Sequence, residues 1–344
     1  MCCLAYRCRF FTNFAPVKNR KMDSVIRFLR NWTLPCAMVF GATCYLIWHF
    51  LLPVSMQWRT NAADIVSVVQ PILIFTMLFI SFCKIDIRDL RWKRWHIYGL
   101  AFQIFIFLLT GGLIYLYPDG VCRITLESAM ICFICPTATA AAVLTQKLGG
   151  NAATLVSYTM FINLVTTVAV SAIVPILNPE SGITFWVAFF KIMAKVFPML
   201  ICPFFLAVLV RYIMPKTHNR IISTRNLAFY IWAVSLSIAI AVTVRYAVLA
   251  ENLTVATVIG IGFASLIACV SQFALGKLFG RKFDDEISGG QALGQKNTVF
   301  AIWVGYTFFT PITSIAGGFY SIWHNVFNSW QLYRKNKENE MIGK

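Results

Sequence analysis

Charge is the scarcest thing in this chain. Only 12% of its 344 residues are charged and just 13 are acidic, against about 25% charged in a soluble domain. The apolar stretches contain no paired carboxylates, no metal-ligand cluster and no nucleophile–base pair, which argues against intramembrane enzyme chemistry. Cys132 and Cys135 form one C-x-x-C, but no second pair with metal spacing follows, so zinc is not expected. The other cysteines include Cys36, Cys44, Cys83, Cys122, Cys202 and Cys269, in or beside apolar segments. There small apolar packing is the expected role. No cleavable signal pattern opens the chain, and Met22 is a second candidate start.

What is present is hydrophobicity: 59% of residues, with a mean hydropathy of +0.71. Repeated runs near the ~20 residues that span a bilayer predict an all-α polytopic membrane protein, in contact with lipid. Ten segments are expected: Thr33–Leu52, Ile65–Cys83, Ile97–Tyr117, Ile124–Leu148, Ala153–Leu177, Ile183–Ile213, Leu227–Val248, Thr254–Phe279, Ser288–Phe308 and Thr310–Gln331. The sixth is too long for one simple span, and Lys191 and Lys195 suggest an interfacial start with the span beginning near Val196.

Thirty Lys and Arg residues set the net charge at +17. They lie in short loops rather than on one soluble module, so no nucleic-acid partner is expected. Alternate loops hold 24 and 4 of them, with Lys195 and Lys296 inside spans. The excess marks the cytoplasmic side and puts both termini there, in an inner or plasma membrane. Ten spans divide into five and five, and an odd-numbered unit repeated once must insert upside down. The expected organisation is a basic arm (1–32), two inverted five-helix repeats (33–177 and 178–331) and a cytoplasmic tail (332–344).

Two stretches interrupt the apolar pattern at the same place in each half. One is Cys135-Pro136-Thr137-Ala138-Thr139-Ala140. The other is Gly289-Gly290-Gln291-Ala292-Leu293-Gly294-Gln295-Lys296-Asn297. Proline removes a helix hydrogen bond. Glycines let a backbone unwind, which is tolerated at membrane depth only where it lines protein or a watery cavity. Pro136, Gly289, Gly290 and Gly294 are the expected helix breaks. Either stretch alone reads as a kinked helix that merely packs. A matched pair, with a lysine in one of them, is the pointer to a secondary-transporter site.

Three of these runs resemble the bile acid:sodium symporter family, over most of the chain from about Thr33 to Trp330. Cys135 to Ala142 is similar to that family's Cys-Pro-Gly-Gly-Thr-Ala-Ser-Asn. Gly294 to Asn297 is similar to the end of its Glu-x-Gly-x-Gln-Asn. The third and most specific is Tyr320-Ser321-Ile322-Trp323-His324-Asn325, which matches its Tyr-Ser-x-Trp-His-Asn. The incomplete first two matches suit a divergent, bacterial-type member. The resemblance implies crossing fourth and ninth helices with sodium beside the crossing, and a secondary transporter of a small organic anion.

The departures fall on the sodium ligands. The family's Ser and Asn become Ala141 and Ala142, a hydroxyl position becomes Leu155, its Glu becomes Ala292 and its Gln becomes Lys296. Gln103 and Thr159 keep an amide and a hydroxyl. Sodium needs hard oxygen ligands, so sodium is disfavoured as coupling ion, a proton is a candidate, and no other cofactor is expected. Lys296 could be a fixed surrogate for sodium, a proton carrier or the counter-charge of an anionic substrate. It lies some eight residues into its segment, about 12 Å at a helical rise, too deep for a simple snorkel across a ~30 Å core. Gln103, Gln291, Thr159 and freed carbonyls are its expected acceptors.

The candidate substrate and ion-site residues are thus Lys296, Gln291, Gln295, Asn297, Gln103, Thr159, Asn163 and Thr139. Asn163 would line a cavity or bond a neighbouring helix. His324 reads as a packed, hydrogen-bonded histidine, and Arg123 with Glu127 as an i,i+4 pair at the outer interface. Trp92, Trp95, Tyr98, Trp323 and Trp330 lie near span ends and read as an interfacial belt. Two alternatives stand beside the transporter: an arsenite-type exporter using a thiolate at Cys135, and a non-transporting membrane receptor.

Overall fold

The structure is a computed structural model that describes residues 28–29, 32–52, 55–120, 122–138, 140–224, 226–249 and 253–342. Most of the basic arm, and Thr139, lie outside the described residues. The chain is all-α. In order, its helices are α1 (Thr33–Leu46, continued as one π turn, Ile47–Leu51), α2 (Met56–Cys83), α3 (Arg94–Leu116), α4 (Arg123–Ile134), α5 (Ala141–Leu148), α6 (Ala152–Leu177), α7 (Phe185–Ile213), α8 (Pro215–Ser223), α9 (Leu227–Leu249), α10 (Val255–Arg281), α11 (Glu286–Gly294), α12 (Thr298–Phe308) and α13 (Pro311–Ile342).

Seven of these are long and apolar enough to cross a membrane: α1 with its π turn, α2, α3, α6, α7, α9 and α10. Their outer faces suit lipid. Phe40, Phe50, Phe105, Phe190 and Phe263 are each more than 60% exposed, an apolar surface that water would not tolerate across a whole molecule. Helix starts use local polar caps: Asn151 accepts from the Ala153 and Thr154 amides (3.0 and 3.2 Å), and Thr254 from the Thr257 amide (3.2 Å). Gly149, at φ 88°, closes α5 in the left-handed region that favours glycine.

Four boundaries differ from the sequence reading. α2 begins at Met56, nine residues early, because Gln57 to Asp64 continue the helix although they are too polar to count as a span. The sixth segment is one unbroken helix from Phe185, not a span starting near Val196. Its 29 residues run through Pro198 and Pro203, to a length of about 44 Å. The loop after it contains an unanticipated short helix, α8, whose His218 ring nitrogen meets the Cys83 carbonyl at 3.0 Å. The helix of the tenth segment continues past Gln331: α13 runs on to Ile342, where helix-forming Lys and Glu residues extend it and Lys335 pairs with Glu338 (3.8 Å).

Candidate functional site

The two interruptions meet. α4 stops at Ile134 because Pro136 drives the residue before it out of the helical region, and Cys135 sits at φ −49°, ψ 134°. α11 stops at Gly294, and Asn297 starts α12 by capping the Phe300 amide (3.2 Å). Between the helix ends the two segments meet in one isolated antiparallel bridge, with Thr137 opposite Lys296. The Ala138 amide donates to the Gln295 carbonyl (2.7 Å) and the Asn297 amide to the Pro136 carbonyl (2.8 Å). Side chains add to this. Thr137 Oγ1 donates to the Ala292 carbonyl (2.6 Å), and the Cys135 thiol to the Asn297 carbonyl (2.9 Å).

Lys296 is the charged group here. It is 1% exposed, and its Nζ has no hydrogen-bond partner among the described residues. None of the side-chain acceptors expected for it reaches it. Gln103 donates to the Phe133 carbonyl (2.7 Å) and accepts from the Tyr158 hydroxyl. Thr159 bonds the Leu155 carbonyl (2.9 Å) in its own helix. Gln291 donates to Asn328 Oδ1 (3.1 Å), leaving its own Oε1 unpaired. A short polar side chain inside a helix finds its own turn first, and this also corrects Asn163. It donates within its own helix, to the Thr159 carbonyl (2.6 Å), rather than to a neighbouring helix among the described residues.

Lys296 lines a cavity of about 50 Å³ together with Gln295 and Asn297. That volume holds a few waters. The opposite wall is α9, with Trp232 and Ser235, and the far end is α13, with Ser321, His324 and Asn325. Both amide atoms of Gln295, His324 Nδ1 and Asn325 Oδ1 are also buried and unpartnered. His324 is therefore buried, but at Nδ1 it lacks the bond expected of a packed histidine. The cavity brings together Lys296, Gln295 and Asn297. It does not include Gln291, Gln103, Thr159 or Asn163.

The positions where the family likeness expects oxygen ligands also come together. Ala141, Ala142, Leu155 and Ala292 are each at most 2% exposed and share one apolar cluster with Tyr158 and Leu293. Two of the expected breaks need correction. Gly289 and Gly290 are inside α11, not at an unwound point. They let α11 pack on α10: a Cβ on Gly289 would stand 2.9 Å from the Gly280 Cα, and one on Gly290 2.7 Å from Lys277 Cγ. Trp95 leaves the belt as well. It is fully buried and donates to Asp285 Oδ2 (3.0 Å), which also receives Thr154 Oγ1 (2.7 Å) and pairs with Lys93 (3.4 Å).

Two of these residues had not been singled out from sequence, Ser235 and Asp285, nor had Gln272, which donates to the Cys132 carbonyl near the end of α4 (3.2 Å). A lone serine, aspartate or glutamine near or within a long apolar run has no periodic partner that would betray its role. Tyr320, Ser321 and Asn325 did stand in a recognisable motif.

Helices interrupted within an apolar bundle and crossing beside a polar cavity define a class, the multi-pass secondary transporters. The family model described as Sodium Bile acid symporter family matches residues 71–257. The chain belongs to that family, whose members are transporters. No curated protein matches it.

Proposed function

We propose that this protein carries a small organic anion by alternating access, without sodium. The observation that carries the proposal is a substitution of chemistry at one place. The four positions that would offer oxygens to sodium form an apolar cluster, and an unpaired ammonium stands at the crossing beside them. Methyl groups coordinate no cation. The ammonium is not without support, because α4 and α11 both end at the crossing. Helix C-termini carry partial negative charge, which favours the ammonium, while the N-termini of α5 and α12 begin at the same crossing and oppose it. The unpaired amide of Gln295, with Asn325 and His324, gives the cavity further polar groups to meet a carboxylate or sulfonate.

The element order supports two inverted repeats, 33–177 and 178–331. In each half three long helices precede a broken pair and one long helix follows: α1–α3, α4/α5 and α6, then α7, α9, α10, α11/α12 and α13. Counting each broken pair once gives ten spans, with both ends in the cytoplasm of a cell whose inner or plasma membrane holds the protein. A lysine that stays charged makes transport uniport or exchange. One that releases its proton couples transport to pH. The bond from the Cys135 thiol to the Asn297 carbonyl favours the anion reading over an arsenite-type exporter, which needs that thiolate free.

The test is uptake into proteoliposomes of a radiolabelled organic-anion panel headed by a conjugated bile acid. Sodium is replaced by potassium or choline at fixed pH, in wild type and Lys296→Gln. Uptake equal in the three salts is expected. Lys296→Gln should lose any pH-driven component, or lock one conformation, without acquiring sodium dependence. Steep sodium dependence in the wild type refutes the proposal, and binding without counterflow identifies a receptor.

A further inference from the structure

Breaking two helices inside the protein strands carbonyls, since the last four of any helix have no partner within it. Water is scarce at membrane depth, so each must find a donor in the protein. In α4 all four do. The Ile131 carbonyl takes the Cys135 amide (3.0 Å), Cys132 takes Gln272 Nε2 (3.2 Å), Phe133 takes Gln103 Nε2 (2.7 Å) and Ile134 takes Thr166 Oγ1 (2.9 Å). In α11 the Gln291 carbonyl takes the Gln295 amide (3.0 Å), Ala292 takes Thr137 Oγ1 (2.6 Å) and Gly294 takes the Tyr320 hydroxyl (2.8 Å).

Two of these bonds are linked. Gln272 Nε2 also donates to the Tyr320 hydroxyl oxygen at 3.1 Å, sharing its two hydrogens with the Ala268 carbonyl of its own helix (3.1 Å). One continuous path therefore runs from the Cys132 carbonyl at the cut end of α4, through Gln272 on α10 and Tyr320 on α13, to the Gly294 carbonyl at the cut end of α11. Both side chains are buried, at 0% and 1% exposure. Neither lines the Lys296 cavity, and the proposed transport chemistry uses neither.

We propose that Gln272 and Tyr320 are positioning residues that form a single brace between the two cut helix ends, holding the Thr137–Lys296 bridge in register. Two whole helices, α10 and α13, thereby fix the crossing from outside it. Buried hydrogen bonds in series polarise one another and act as a unit. Cutting the path at either residue severs the connection between the two ends, and cutting it twice severs it no further. The brace deepens the transport reading, because it sets where Lys296 stands, but its test involves neither substrate nor ion.

Hydrogen exchange read by mass spectrometry on the full chain in lipid nanodiscs measures this. The variants are Gln272→Met and Tyr320→Phe, which keep bulk and remove the polar atoms, and the two combined. The peptides covering 135–140 and 295–297 report the pairing, through the Ala138 and Asn297 amides. Each single variant should raise their exchange about tenfold, the scale of one buried hydrogen bond, with α2 unchanged. The double variant should also rise about tenfold, since residues acting through one path do not add. A double rise near the product of the two singles overturns the brace in favour of separate bonds. No rise, or an equal rise in α2, overturns the positioning role. If Tyr320→Phe yields no folded protein, Gln272→Met alone decides: it must loosen the 135–140 and 295–297 peptides and spare α2, and any other pattern sinks the proposal. A failed uptake assay leaves this result standing, and the reverse holds too.

Discussion

Lys296→Met exchanges a buried ammonium for a thioether of similar length. The side chain is 1% exposed and its nitrogen has no partner, so the substitution removes a burden without breaking a bond. A lysine at the centre of a membrane helix is unfavourable by about 2.5–3.5 kcal/mol on insertion scales. The C-termini of α4 and α11 favour the ammonium by about 0.3–1 kcal/mol each, and the N-termini of α5 and α12 at the same crossing oppose it by a similar amount. A net gain in stability of about 2–3 kcal/mol remains for the methionine variant. For a chain of this size that raises the melting temperature by roughly 2–4 °C. Transport should fall at least tenfold in the same protein. The assay is tryptophan-fluorescence melting of wild type and variant at one scan rate, since membrane proteins often unfold irreversibly, alongside proteoliposome uptake. A melting temperature lowered by several degrees refutes the reasoning, because it means the ammonium has a partner whose loss matters. Full transport by Lys296→Met refutes the functional half.

Three further outcomes are expected. A reporter fused after Lys344 should read out as cytoplasmic, from the 24-to-4 division of loop charges, and an external readout inverts the topology. Gly289→Ala should destabilise by about 1–3 kcal/mol, because its Cβ would stand 2.9 Å from the Gly280 Cα; an unchanged melting temperature shows that α10 and α11 can separate without loss. Arg123→Ala should lower stability by about 2–3 kcal/mol, less than the ~3–5 of a fully buried pair, because Arg123 keeps 31% side-chain exposure while Glu127, held at 2.9 Å, keeps 3%. Glu127 also accepts from Thr313 at 2.9 Å, so Arg123→Met with Glu127→Gln should be the milder change, and the opposite order contradicts the ion-pair account.

The class of the protein, the order of its apolar segments and the places where two of them break were legible in the amino-acid sequence. These depend on local demands. A segment near 20 apolar residues satisfies its own backbone as a helix, a proline ends it at a predictable point and a capping asparagine starts the next. Pro136 and Asn297 act in this way without help from the rest of the chain. Family membership was legible for a related reason, since the motif around Tyr320 to Asn325 is contiguous.

Only the tertiary structure decided which faces meet. Helices that are apolar all round carry no stripe to say which side faces protein and which faces lipid. Nothing local therefore distinguished Trp95, buried on Asp285, from Trp92, which is 44% exposed. Thr159 and Asn163 looked like site residues but bond their own helix, because a side chain's nearest carbonyl is found before any distant ligand. Conversely Ser235, Gln272 and Tyr320 come to the crossing from α9, α10 and α13. Their roles arise from packing between segments far apart in sequence: Ser235 lines the cavity, and hydrogen-bond demand at the two cut helix ends selects Gln272 and Tyr320.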